Sequence, residues 1–517
     1  MLPPANIALQ DKTLRFGRAG GVGLRIAMDM SPPPTISHEQ RRDIVIGVLM
    51  AMMLAALDQT IVAPALPTIG ASLGDADFLA WIISVYLLTG TAVTPLYGKL
   101  SDIHGRRPIM SLALGVFLVG SVICALAPSM LVIIVGRAVQ GLGGGGLVAL
   151  AQTVIADVVP PRERSRYVVY ISTVWATSSV AGPILGGFFA QHLSWSLIFW
   201  INLPIGVLAF VMTNNRLKGL PQIKRDHSLD VLGAALIMSA TVALMLVLTL
   251  GGARLAWTSP IILALAIAAF GLAAALVIHL RRTPEALVPL EIFRNEVVGT
   301  ATASIFFSMF AFIGSTVYLP IYLEFVLGRD STAAGAGLIA LVGGSVVGAT
   351  IAGRTMPRLV HYKRIAVVGM CFAIVALAML AYFAPVLEFW QAEALVLALG
   401  VGVGPLFPTA TVSVQNAVDR RDLGVATATL AFLRTFGSAL GVALMGAVLI
   451  GFGIVTDAGV PQTVGAFDPD LAKRAGLAFT VMFAMQALAM AISLACFLMM
   501  EERPLRGSTP SAAALAE

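Results

Sequence analysis

Two ionisable residues sit where ionisable residues are costly. Asp58 lies in Leu57-Asp58-Gln59-Thr60-Ile61-Val62, and Arg137 opens Arg137-Ala138-Val139-Gln140-Gly141-Leu142-Gly143; both fall inside long apolar runs. Charges within such runs mark proton or substrate paths by default. Desolvation raises a carboxyl pKa until the group can exchange a proton near neutral pH, and a nearby cation lowers it again. Counted at 1.5 Å per residue from Pro67 and Pro128, both residues lie about 13 Å below the same surface, so a pair or shared network with Gln140 is expected. The bland alternatives are a neutral acid bonded to a neighbouring helix and an arginine clamped on backbone carbonyls.

Further positions join these. Ala181-Gly182-Pro183-Ile184-Leu185-Gly186-Gly187 combines a missing side chain, a missing backbone donor and two more glycines. It predicts a kinked helix at a close, moving interface between bundles. Arg434 is near mid-membrane, Glu324 is close to an outer loop, and Trp175, like Met53 and Phe407, is an apolar pocket candidate; Arg434, Glu324 and Trp175 are the expected substrate or second proton positions. Glu393 reads as interfacial. Outside the apolar runs the most patterned stretch is Gly98-Lys99-Leu100-Ser101-Asp102-Ile103-His104-Gly105-Arg106-Arg107-Pro108, read as a charged connecting loop. A weaker echo, without the aspartate, occurs at Gly353-Arg354-Thr355-Met356-Pro357-Arg358.

These residues need elements to position them. The chain has 517 residues, 58% hydrophobic and 12% charged. Soluble domains carry about 25% charged residues, so this composition calls for a surface facing lipid. Fourteen runs can span a bilayer at about 20 residues each. They lie near 44–67, 78–97, 108–127, 129–155, 166–190, 195–214, 230–250, 258–280, 297–326, 332–353, 365–384, 390–412, 423–450 and 476–500. Even-numbered connections hold cation clusters such as Lys99-Arg106-Arg107, Arg216-Lys218-Lys224-Arg225 and Arg354-Arg358-Lys363-Arg364. Odd-numbered ones hold only Arg254, Arg329, Lys473 and Arg474. The positive-inside rule therefore places both termini in the cytoplasm, and Trp81, Trp195, Trp257 and Trp390 fall at outer ends.

The expected plan is all-α and polytopic: a disordered cytoplasmic tail over 1–42, a six-helix bundle over 43–214, a linker with two inserted helices over 215–296, a second six-helix bundle over 297–500, and a tail over 501–517. Met28 and Met30 are alternative starts. The net charge of +6 sits in loops, which is an orientation signal and no nucleic-acid patch. The three cysteines show no metal or disulfide spacing, and no Walker, HExxH or GxSxG motif occurs, so neither a metal nor a catalytic site is expected.

The residues then match a pattern. The chain resembles the major facilitator superfamily, and within it the fourteen-helix drug:proton antiporters, across about residues 43–500. The segment from Gly98 to Pro108 looks like the signature between helices two and three. Leu57–Val62 with Ala65-Leu66-Pro67 is similar to the LDxTIVNVALP signature, Arg137–Gly143 to RxxQGxG, Gly182–Gly187 to the antiporter motif GPxxGG, and Trp200-Ile201-Asn202-Leu203-Pro204-Ile205-Gly206 to a further family ending. The resemblance implies a major facilitator fold, proton coupling through Asp58, Arg137 and Gln140, and a cytoplasmic gate at Gly98, Asp102, Gly105, Arg106 and Arg107. It implies exchange rather than symport from Gly182, Pro183, Gly186 and Gly187. Departures occur: Ala63-Pro64 replaces Asn-Val beside Asp58, Ser196 follows Trp195, Glu324 replaces Gln, and Ile103 follows Asp102.

The expected function is a non-enzymatic multidrug efflux antiporter, contributing antibiotic resistance. It would export lipophilic, cationic compounds by alternating access across a cell membrane, the bacterial inner membrane. The proton gradient would be its energy source with no cofactor. Partners would be the small-molecule substrate, protons, the bilayer and a periplasmic adaptor protein, with no nucleic acid. The alternatives are an exporter of a specific metabolite, lipid or siderophore, and a non-transporting membrane receptor.

Overall fold

The computed structural model describes residues 38–74, 78–219, 230–251, 255–283, 286–288, 290–329, 331–419, 422–454 and 469–505. Among them, 14 helices are long and apolar enough to cross a membrane. They are α1 (Glu39–Ala65), α2 (Trp81–His104), α3 (Arg106–Ala125), α4 (Met130–Val158), α5 (Glu163–His192), α6 (Leu197–Arg216), α7 (Val231–Leu248), α8 (Pro260–Arg282), α9 (Glu296–Glu324), α10 (Gly337–Arg358), α11 (Lys363–Phe383), α12 (Phe389–Ala417), α13 (Leu423–Gly451) and α14 (Lys473–Met499). Each coincides with one expected run. Helix is the outcome because a chain in lipid must satisfy its own backbone donors and acceptors.

Two boundaries differ from the sequence reading. The first helix begins by His38, so residues 38–42 belong to it and not to a tail; residues 1–37 lie outside the described residues. The stretch from Gly98 to Pro108 is not a loop. Helix continues through His104 and restarts at Arg106, leaving only Gly105 outside, at φ +92°. Charged residues end a spanning run without ending its helix, and a left-handed glycine is enough to reverse the chain. Close to Asp58, the Ala63-Pro64 departure does interrupt α1. Regular α-helix stops at Ile61, and a 3-10 turn covers Ala63–Ala65.

Packing groups α1 to α6 together and α9 to α14 together, with α7 and α8 paired against each other. α7 also meets α2 and α13, one from each group. Its amino end is held by Asp230. One carboxylate oxygen accepts from the Gly233 amide at 2.8 Å and faces His279 Nε2 at 2.8 Å; the other accepts from the Leu287 amide at 3.1 Å. Burial pushes the Asp230 carboxyl up, but these hydrogen bonds outweigh it and hold the group below the usual range.

Gly98, Lys99, Asp102 and Arg106 mark one end of the molecule, called here the basic end. Cross-group contacts concentrate there. Gly98 on α2 faces Gly424 and Ala428 on α13 so closely that a Cβ would collide with both. On the other side, Ser165 Oγ of α5 donates to the Gly353 carbonyl of α10 at 3.1 Å. At this end the two groups are closed on each other.

Candidate functional site

Asp58 sits in the last regular turns of α1 and is fully buried. Arg137 Nη1 donates to its Oδ2 at 2.5 Å. Gln140 Nε2 and Asn202 Nδ2 donate to its Oδ1 at 3.0 and 2.8 Å. Gln140 Oε1 accepts from Arg137 Nη1 at 3.0 Å, and Gln140 Nε2 also donates to Ser121 Oγ at 2.7 Å. Arg137 Nε donates to the Ile82 carbonyl at 3.0 Å, and its guanidinium carbon lies 4.2 Å from the centre of the Tyr86 ring. The clamp and the ion pair are therefore both present. Five helices supply this cluster: α1, α2, α3, α4 and α6.

The glycines after Arg137 explain how it reaches Asp58. Gly143 abuts the α3 backbone at Ala113 and Phe117, and Gly145 abuts Gly90 of α2, each too closely for a side chain. α4 is thereby pressed between α2 and α3, as small residues in membrane helices allow.

Gly182 and Gly186 do not face the second bundle. They face Thr60 and Ile61 of α1, with no room for a Cβ, and Thr60 Oγ1 donates to the Ser178 carbonyl at 2.7 Å. The expected interface between bundles is thus an interface within the first bundle, two or three residues from Asp58. Residues four apart share a helix face, so the motif presents one smooth strip to one neighbour. Pro183 is exposed, and nothing lies within 4 Å of the position a Gly187 Cβ would take.

At the basic end, Arg106 Nε donates to Asp157 Oδ2 at 2.7 Å, and its Nη1 bonds Ser101 at 2.7 Å and Asp102. The second oxygen of Asp102 accepts from the Val425 amide at 3.0 Å. Asp102 of one half therefore caps the first turn of α13 in the other, where unsatisfied N–H groups and the helix dipole attract a carboxylate. Arg107 Nε donates to Asn214 Oδ1 at 2.9 Å and stays within the first half.

A pocket lies between α1, α2, α4 and α13, reaching Gln59, Tyr86, Thr91, Thr94 and Arg434. A smaller one adjoins Gln152, Phe407 and the same Arg434. Of the three expected substrate positions, only Arg434 lines them. Glu324 ends α9 and Trp175 lies on α5, and neither borders either space.

The family model of the Major Facilitator Superfamily matches residues 48–222 and 224–442. The chain belongs to this superfamily. Among similar proteins, the uncharacterized MFS-type transporter Rv1877 of Mycobacterium tuberculosis (strain ATCC 25618 / H37Rv) is 34% identical over 424 residues. That match covers 81% of this chain but 61% of the relative, so the chain spans less than two thirds of that protein. Multidrug resistance protein 3 of Bacillus subtilis (strain 168) is 33% identical over 415 residues, 80% of each chain. The crystal structure of the human organic anion transporter MFSD10 superposes with a TM-score of 0.61 at 18% identity, covering 88% of this chain and 99% of that one. At that identity the likeness concerns the fold alone.

Within this superfamily member, sequence reasoning missed Asn202, Ser121 and Tyr86 as parts of the Asp58 cluster. Asn202 carried a signal, being an amide in an apolar run. Ser121 and Tyr86 carried none, because a serine or tyrosine in a spanning helix usually satisfies itself on the preceding turn or packs in a core.

Proposed function

We propose that this chain is a proton-driven antiporter that exports lipophilic small molecules across the cytoplasmic membrane by alternating access. The two six-helix groups would be its moving halves, with the basic end and both termini in the cytoplasm. The observation carrying this reading is the Asp58–Arg137 pair, buried in the helix core with Gln140 Nε2 and Asn202 Nδ2 also donating to the carboxylate. A proton arriving at Asp58 cancels the pair and frees Arg137 to shift against Tyr86, whose side chain also lines the cargo pocket. Proton and cargo sites thus share a wall, and a change at one is felt at the other without contact between proton and cargo. The proton gradient supplies the energy, and no cofactor is called for. The names of relatives, such as multidrug resistance protein 3, support export as the direction. Cationic cargo was the sequence-based expectation; the pocket's own charge argues otherwise, as taken up below.

The test is transport in proteoliposomes under an imposed pH gradient. Wild-type protein should drive efflux of a dye panel, and Asp58→Asn should not. Gradient-driven efflux at the wild-type rate in Asp58→Asn would remove the assignment.

A further inference from the structure

Arg434 is the one ionisable side chain bordering both pockets among the described residues. Its surroundings differ from those of the other intramembrane arginine. No hydrogen bond or ion pair is formed by its guanidinium with any described residue; its carbonyl accepts from Ser438 Oγ at 2.9 Å, as in any helix. No carboxylate lines either pocket among the described residues. α2 and α4 present Thr91, Thr94, Gln152 and glycine backbone, while α12 presents Phe407 and Thr411. Asp58 is not available to it, because its oxygens are already taken by Arg137, Gln140 and Asn202. A half-buried cation at membrane depth without a counter-charge is unfavourable and marks a functional position by default.

From this geometry we infer that the cargo carries an anionic group, such as a carboxylate, which docks on Arg434 between the halves. Its apolar body lies along Leu87, Val148 and Phe407. A lipophilic cation would meet the opposite situation: an uncompensated guanidinium, and no carboxylate to replace its hydration. Because Arg434, with Ala431 and Thr435, is on α13 and the other lining residues of the larger pocket are on α1, α2 and α4, an anion bound there bridges the two halves. Thr94 Oγ1, on the same wall, is spent on the Gly90 and Gly145 carbonyls at 2.7 and 3.0 Å. Arg434 is the one cationic donor on the lining among the described residues. This inference rests on the transport reading above.

The test separates the two. Dansylglycine (a monoanion), its neutral amide and ethidium (a cation) are compared on the purified full chain by thermal shift, and in proteoliposomes by efflux. Dansylglycine should stabilise wild type and Asp58→Asn, but not Arg434→Gln. The neutral amide should bind at least about tenfold more weakly, the usual order for losing a desolvated charge pair. Arg434→Lys should recover part of the binding. Equal binding of acid and amide, preference for ethidium, unchanged binding in Arg434→Gln, or no binding of any probe would overturn the inference. Binding with this pattern but efflux that ignores the pH gradient and Asp58→Asn would uphold the inference and remove the antiport reading instead.

Discussion

Two arginines inside spanning helices of the same protein are treated in opposite ways. Arg137, in the first half, is saturated: a carboxylate, an amide oxygen, a backbone carbonyl and an aromatic face surround it. Arg434, in the second half, borders open space with none of these. The halves resemble each other as packed helices but divide the electrostatic work. One holds a closed internal charge pair. The other holds a charge that faces a pocket without a carboxylate among the described residues.

This contrast can be broken by substitution. The largest effect is expected from Asp58→Asn, which removes the proposed proton carrier and leaves Arg137 buried opposite a neutral group. Gradient-driven efflux should vanish, and stability should fall by about 3–5 kcal/mol, the usual cost of breaking a buried pair. Adding Arg137→Gln should restore much of the melting temperature and none of the transport. Return of transport in the double variant would show that the pair is structural only.

Arg434→Gln should behave in reverse. Removing an uncompensated charge should leave the melting temperature unchanged or raise it, while cargo transport is lost. A drop as large as that of Asp58→Asn would mean that Arg434 has a structural partner, and the contrast would fail.

Next in size is Gly186→Val. Its side chain would meet the Ile61 carbonyl of α1, so α5 must move outward next to Asp58. Transport should fall at least about tenfold with the protein still inserted, since overpacking of this kind costs about 1–3 kcal/mol. Wild-type turnover would show that the close approach of α5 to α1 is dispensable.

At the basic end, Asp102→Asn should weaken the cap on α13 by about 0.5–2 kcal/mol. Cysteines placed at the α2–α13 seam should then label faster, and turnover should change. The seam between α5 and α10 carries a neutral hydrogen bond, Ser165 Oγ to the Gly353 carbonyl, so Ser165→Ala should matter less. The smallest effect is that of Asp230→Ala, about 1 kcal/mol on the attachment of α7. Because the Asp230 carboxyl is held below its ordinary value, its contribution is present above the unfolded pKa of about 3.9 and is lost as pH falls through the lowered one. Acid melting below about pH 4 should therefore be steeper in wild type than in Asp230→Ala.

Much of this was legible beforehand. Each of the fourteen spans, the equal depth of Asp58 and Arg137 and a close helix neighbour at Gly182–Gly187 could be read from residues. Three things could not. Gly98–Pro108 looked like a loop because charge marks the edge of lipid, whereas helix propensity carries on past that edge until Gly105. The Gly182–Gly187 strip announced a close neighbour without saying which, since a smooth face fits any helix. Arg434 stood as one of three candidates beside Glu324 and Trp175, with nothing in the local sequence to rank them.

The sequence by itself determined the membrane class, the helix count and the residues too costly to bury without purpose, because hydropathy, cation placement and the price of intramembrane charge are local properties. Tertiary structure decided which charges are answered. Asn202, Ser121 and Tyr86 meet Asp58 and Arg137 only because α3, α2 and α6 converge on α1 and α4, and Arg434 is left unanswered only because α13 faces a pocket rather than a carboxylate. Pairing depends on distances of a few ångströms between helices far apart in the chain, and such distances are set by packing.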